Sequence, residues 1–325
     1  MPDMLDTLMG NLLVPTILFF ILGLLAAFIR SDLSIPEGAA KFMSLYLLLA
    51  IGFKGGHNLG QYGFNSDVYL SLASGIILSF ALPFVAFALL RLITSLDPLN
   101  AAAVAGHYGS ISIVTFVTAS SLLELMNISF DGYMVAVAAA MEVPAILSAL
   151  WIARHFGQNT NKQMVKVPIR DLLANGSILL LTGAFFIGAM TQERGMDMIA
   201  PFVVTPFTGI LCLFLLDMGL SAGRSVLESR HLLRPGIFIF GMTMPVVGAT
   251  LAWLVGQVVG LQTGSLFLLM VLSASASYIA VPAAMKLALP KAETGVYLTL
   301  SLGVTFPFNI TLGLPLFLWF ADWTG

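Results

Sequence analysis

Apolar residues run along this chain in blocks too long for the core of a small domain, with polar positions gathered between them. A helix needs about 20 mainly apolar residues to cross the hydrocarbon of a bilayer. By that ruler the chain divides into spans near 12–30, 36–53, 68–92, 98–122 and 131–154, then 172–192, 202–223, 235–258, 264–287 and 294–320. The pattern predicts an all-α integral membrane protein with ten transmembrane helices. Two spans are interrupted. Span 4 holds "GHYGSIS" (106–112) and span 9 holds "SASASY" (273–278), with small and polar residues where Leu, Val and Ala belong.

The interruptions are one pair in a longer series. Pro36 has a counterpart in Pro206, and a turn at Gly52 to Gly56 has one at Gly219 to Gly223. Pro83 matches Pro245, Ser110 and Ser112 match Ser275 and Ser277, and Pro144 matches Pro307. These landmarks recur in one order at a nearly constant offset, so the chain reads as two five-span repeats. The first covers 1–154, a linker covers 155–171, and the second covers 172–325. An odd span count makes the second repeat enter the membrane from the opposite side. Inverted repeats with helices 4 and 9 broken are the architecture of secondary transporters, whose solutes bind at the breaks near the midplane. Small residues let the backbone leave the helical path. The N–H groups thereby freed suit an anion, while freed carbonyls and serine hydroxyls suit sodium. Close helix packing is the alternative use of such residues.

Composition and charge then fix the setting. Of 325 residues 58% are hydrophobic and 9% charged, against about a quarter charged in soluble domains. Cytoplasmic loops carry the excess of Lys and Arg. Odd-numbered loops and the adjoining helix ends hold Arg30, Arg91, Arg154, Lys162, Lys166, Arg170, Arg224, Arg230, Arg234, Lys286 and Lys291; even-numbered ones hold only Lys54 and Arg194. Both termini are therefore expected outside the cytoplasm. The N-terminus carries Asp3 and Asp6 without a basic residue, unlike a cleaved signal peptide. A net charge of −2 argues against a nucleic-acid partner, and the single cysteine, Cys212, excludes an intramolecular disulfide. The linker is basic and reads as an orientation anchor, or as a docking surface for a cytoplasmic regulator. HExxH and Walker A are absent, so an enzyme is not expected.

Ionisable groups at bilayer depth read as functional. Glu142, two residues before Pro144, is the candidate for an ion site or its support; its repeat counterpart is Thr305, with Asn309 one turn further on. With Ser273 in the second interruption, these are the expected sodium residues. His107 reads as a hydrogen-bonding packer or a proton relay, Asp217 as a structural cap beside the second glycine turn, and Lys41 as a snorkelling or Glu37-paired side chain.

"IPEGAAKFMSLYLLLAIGFKGG", "AGHYGSISIVTF", "MEVPAILSAL" and "TFPFNITLGLPLF" resemble the sodium-dependent bicarbonate transporter family first known from cyanobacteria, the SbtA-like permeases, over nearly the whole chain. The resemblance implies elevator-type gate and core domains, a homotrimer in the bacterial inner membrane, and symport of sodium with bicarbonate. Bicarbonate would sit against Gly109, Ser110, Ile111, Ser112, Ser275, Ala276 and Ser277. A PII-like cytoplasmic regulator is a further implied partner, although this linker is shorter than the family's. The chain departs from cyanobacterial members at Ile113 and Val114, which replace small polar residues, and at Glu142, which replaces an aspartate. Transport of another small carboxylate or anion, or passive anion conduction, are the alternatives.

Overall fold

Prolines and short polar side chains set the helix boundaries in the computed structural model, which describes residues 14–62, 66–156, 176–229 and 234–324. α1 (Pro15–Phe28) begins on a proline, where a missing N–H removes nothing the helix needs. α2 (Glu37–Tyr62) and α3 (Ser66–Ile93) follow. Asp97 caps α4 (Pro98–Gly109) by accepting the Leu99 and Asn100 amides at 3.0 and 3.1 Å. α5 (Ile113–Leu125) is capped by Ser112, whose Oγ accepts the Thr115 amide at 3.3 Å. Next come α6 (Met134–Ala140), α7 (Glu142–Phe156), α8 (Gly176–Val203) and α9 (Phe207–Ser229). α10 (Pro235–Val259) ends at Gly260 with φ of 78°, a left-handed turn that glycine adopts without strain. α11 (Thr263–Ala274) and α12 (Ala280–Ala288) precede a last helical run, α13, over 294–324. Within α13, Thr299–Thr305 and Asn309–Gly313 are π-helical, so that each carries a wider turn.

Among the described residues the structure is all-helical, and six helical runs are long and apolar enough to cross a membrane. The remaining expected spans differ for stated reasons. Fourteen residues of α1 reach only about 21 Å, short of the roughly 30 Å core. α2 carries Lys41, Lys54 and His57, and span 9 is cut between α11 and α12. α8 breaks at Gln192, with φ of 48°. The polar stretch beyond it, expected as a loop, is helical and leans back on α2, where the Tyr46 hydroxyl donates to the Phe202 carbonyl at 2.6 Å. The linker beyond Phe156 and both chain ends lie outside the described residues.

The two expected glycine turns are not turns. Gly52 and Gly56 lie inside α2, and Gly219 and Gly223 inside α9. A Cβ at Gly56 would overlap the Phe185 carbonyl of α8; one at Gly188 would overlap the Phe53 carbonyl of α2. Likewise a Cβ at Gly219 would overlap the Phe20 carbonyl of α1, and one at Gly23 the Leu216 carbonyl of α9. Where lipid is as apolar as the side chains, close backbone packing of this kind is what holds helices together. It joins α2 to α8 and α1 to α9, the two most extensive helix pairings among the described residues. Asp217, expected as a cap, accordingly lies half-buried in the interior of α9, away from either helix end.

Contacts between loops sort by face. Arg224 beside the loop after α9 donates to Leu33 after α1 at 2.8 Å, Arg234 donates to Ser95 after α3 at 3.4 Å, and the Glu293 amide donates to Asn100 at 2.7 Å. At the opposite end, the Ser265 hydroxyl donates to the Asp131 carboxylate at 2.7 Å. A cavity there is lined by Asp67, Tyr133, Gly260 and Gln262. Arg- and Lys-bearing loops thus meet one another, and the acidic ones meet at the other end.

Candidate substrate and ion site

Both interruptions leave the helix in the same way. α4 stops at Gly109 and Ser110 is extended, with φ −86° and ψ 163°; α11 stops at Ala274 and Ser275 is extended, with φ −85° and ψ 161°. Gly109 must be small, because a Cβ there would overlap the ring of Pro83 in α3. In the other half, a Cβ at Gly248 of α10 would overlap the Ser273 carbonyl. The proline-bearing helices α3 and α10 therefore each press against one interruption.

The interruptions cross and bond to each other. The Ser112 amide donates to Ser275 Oγ at 2.8 Å, and the Ser277 amide donates to the His107 carbonyl, also at 2.8 Å. Ser275 in turn donates its hydroxyl proton to the Leu272 carbonyl at 2.8 Å. Ser110, Ile111, Ser112, Ser275, Ala276 and Ser277 are all buried. The Ser110 hydroxyl donates to Glu142 Oε2 at 2.6 Å, so the expected ion residue touches the expected anion residue. Glu142 opens α7 directly after a break at Met141, and the freed Met141 carbonyl accepts the Ser79 hydroxyl of α3 at 2.5 Å. Ser79 was not singled out by sequence; a serine one turn from Pro83 carries no mark of its partner.

Ile111, Ser112, Glu142 and Ser277 line a cavity with Tyr278 on one side, closed on the other by Leu48 of α2 and Ser177 and Leu181 of α8. Its volume of about 20 Å³ admits a water-sized occupant. Ser110 and Ser275 stand behind this lining, bonded to Glu142 and Ser112 respectively.

The other expected sodium residues lie elsewhere around the crossing. Asn309, at the start of the second π-helical stretch, donates Nδ2 to the Ala274 carbonyl at 2.9 Å. Its Oδ1 and the neighbouring interruption's Ser273 Oγ are buried without a hydrogen-bond partner among the described residues. Orphaned buried oxygens are rare, and these two are of the kind a sodium ion takes. Thr305 is not brought to Glu142. It donates to the Gly241 carbonyl at 2.7 Å, so the contact at 2.5 Å with Tyr108 is one it accepts. No group of His, Cys, Asp and Glu able to hold a metal ion occurs among the described residues.

A family model of the Na+-dependent bicarbonate transporter superfamily matches residues 15–322. The chain belongs to this superfamily. A comparison with curated proteins found no match. As a member of the Na+-dependent bicarbonate transporter superfamily the protein is a multi-pass membrane transporter.

Proposed function

We propose that the protein is a sodium-coupled symporter of bicarbonate that binds both solutes at the crossed interruptions. The observation that carries the reading is the mutual bonding of 110–112 and 275–277 beside the Ser110–Glu142 pair and the cavity. The N-termini of α5 and α12 begin at the interruptions and offer N–H groups and partial positive charge to an anion. Glu142, the Ser273 hydroxyl and the Asn309 amide oxygen offer oxygens to sodium. A cation held near the anion favours it electrostatically, most strongly where water is excluded; this is the coupling.

Ten spans in two inverted repeats are supported by the matched serine geometry, the matched glycine pairings and the sorting of loops by face. On that reading α1, α2, α8 and α9 form the gate and the other helices an elevator-type core, and the cavity has walls from both. Both termini are then periplasmic, in a bacterial inner membrane. The homotrimer and the PII-like regulator rest on the family resemblance.

The test is uptake of labelled bicarbonate into proteoliposomes with and without an inward sodium gradient. Uptake should require the gradient and be competed most strongly by bicarbonate. Flux that ignores sodium would make the protein a passive channel; stronger competition by another small carboxylate would change the substrate and leave the mechanism.

A further inference from the structure

His107 holds the second interruption by two bonds at once. Its carbonyl accepts the Ser277 amide at 2.8 Å, and its ring Nδ1 lies 2.5 Å from the Ser277 carbonyl. A carbonyl oxygen can only accept, so the Nδ1 nitrogen carries the proton and donates. The ring is 0% exposed and stacks on Tyr297 of α13, centroids 4.6 Å apart and planes 25° apart. The imidazole plane is thus set by α13 and its donor is spent on the second interruption. Ser277 lines the cavity, and its Oγ accepts the Val281 amide at 3.4 Å in the first turn of α12.

We infer that His107 is a positioning residue, whose Nδ1–H and backbone carbonyl together fix Ser277, and through it the start of α12, in register with the first interruption. Resting on the assignment of the crossing to solute binding, this gives His107 a function that neither packing nor proton relay describes. The device is one-sided. Leu272 occupies the corresponding place in the second repeat, and its carbonyl is taken up locally by Ser275. The second repeat holds the first through Ser275 Oγ instead.

Two substitutions separate the parts of the ring. His107→Asn keeps a side-chain N–H the same number of bonds from the backbone and loses the stack on Tyr297. His107→Phe keeps the stack and loses the donor. The first readout is amide hydrogen exchange of the segment 272–282 in the purified full-length protein, which requires no knowledge of the substrate. The second is the sodium-dependent uptake assay, read as KM against maximal rate. His107→Phe should speed exchange in that segment and raise KM for bicarbonate about three- to tenfold, the range for one lost hydrogen bond, with maximal rate within about twofold. His107→Asn should restore both towards the native values. Failure of His107→Phe to fold while His107→Asn folds and transports supports the same assignment, since the donor is then what the site requires. Unchanged exchange and KM in His107→Phe would overturn it, as would an Asn variant that fails to fold. Should the native protein move no bicarbonate, the exchange measurement still decides the role of His107 separately from that of the substrate.

Discussion

Ser110 and Glu142 share one hydrogen bond, so their variants should not act independently. A hydrogen bond to a charged group contributes about 1.5–3 kcal/mol, roughly ten- to a hundredfold in affinity. Ser110→Val and Glu142→Gln should each raise the KM for sodium by that order. The double variant should do little more than the worse single one, because both act on the same pair, Ser110→Val by removing the donor and Glu142→Gln by removing the charge it donates to. Ser275→Val removes the acceptor of the Ser112 amide and should weaken uptake comparably. Ser34→Val, at an exposed position between α1 and α2, should leave uptake unaltered. Near-native KM in the Ser110 and Glu142 variants would return these residues to a purely structural role.

Helix pairs, the next scale up, depend on what glycine lacks. Gly56→Ala and Gly219→Ala would each drive a methyl group into a carbonyl of the facing helix. Overpacking of this kind destabilises by about 1–3 kcal/mol. Both variants should therefore melt at lower temperature in detergent. Gly183→Ala, in α8 with open space where its Cβ would lie, should melt no lower, because alanine favours helix over glycine. Equal melting of all three would mean that the close approaches of α2 to α8 and α1 to α9 contribute nothing to stability. A second inter-helix contact, Lys54 of α2 to Glu124 of α5 at 2.5 Å, is partly exposed, and pairs of that kind add little to stability.

For the whole molecule the decisive property is which ends share a side. Loops after α1, α3, α9 and α12 are linked by hydrogen bonds, and loops after α5 and α10 meet at the other end. On the proposed reading of ten spans with both termini outside, a reporter fused after Gly325 and active only in the periplasm should give signal. A fusion active only in the cytoplasm would require an odd number of spans or the opposite orientation.

Much of this was legible in the chain. Apolar blocks are summed over many residues, so they declared a membrane protein without any knowledge of contacts. The two interruptions were visible for a similar reason, since Gly and Ser in an apolar run are improbable wherever that run packs. Partnership was not visible. Ser110 and Glu142 lie 32 residues apart and His107 and Ser277 lie 170 apart, and no local pattern encodes which interruption a side chain will meet. Thr305 shows the limit, for its repeat position suggested Glu142 whereas α10 and Tyr108 satisfy it. Gly52 to Gly56 shows it again, because a glycine pair serves a turn or a close approach equally well until a second helix is laid against it. Local chemistry therefore determined the apolar blocks, the breaks and the residue types at the crossing. Tertiary structure alone decided which donor meets which acceptor, because a buried polar group is satisfied by whatever the fold brings within about 3 Å of it.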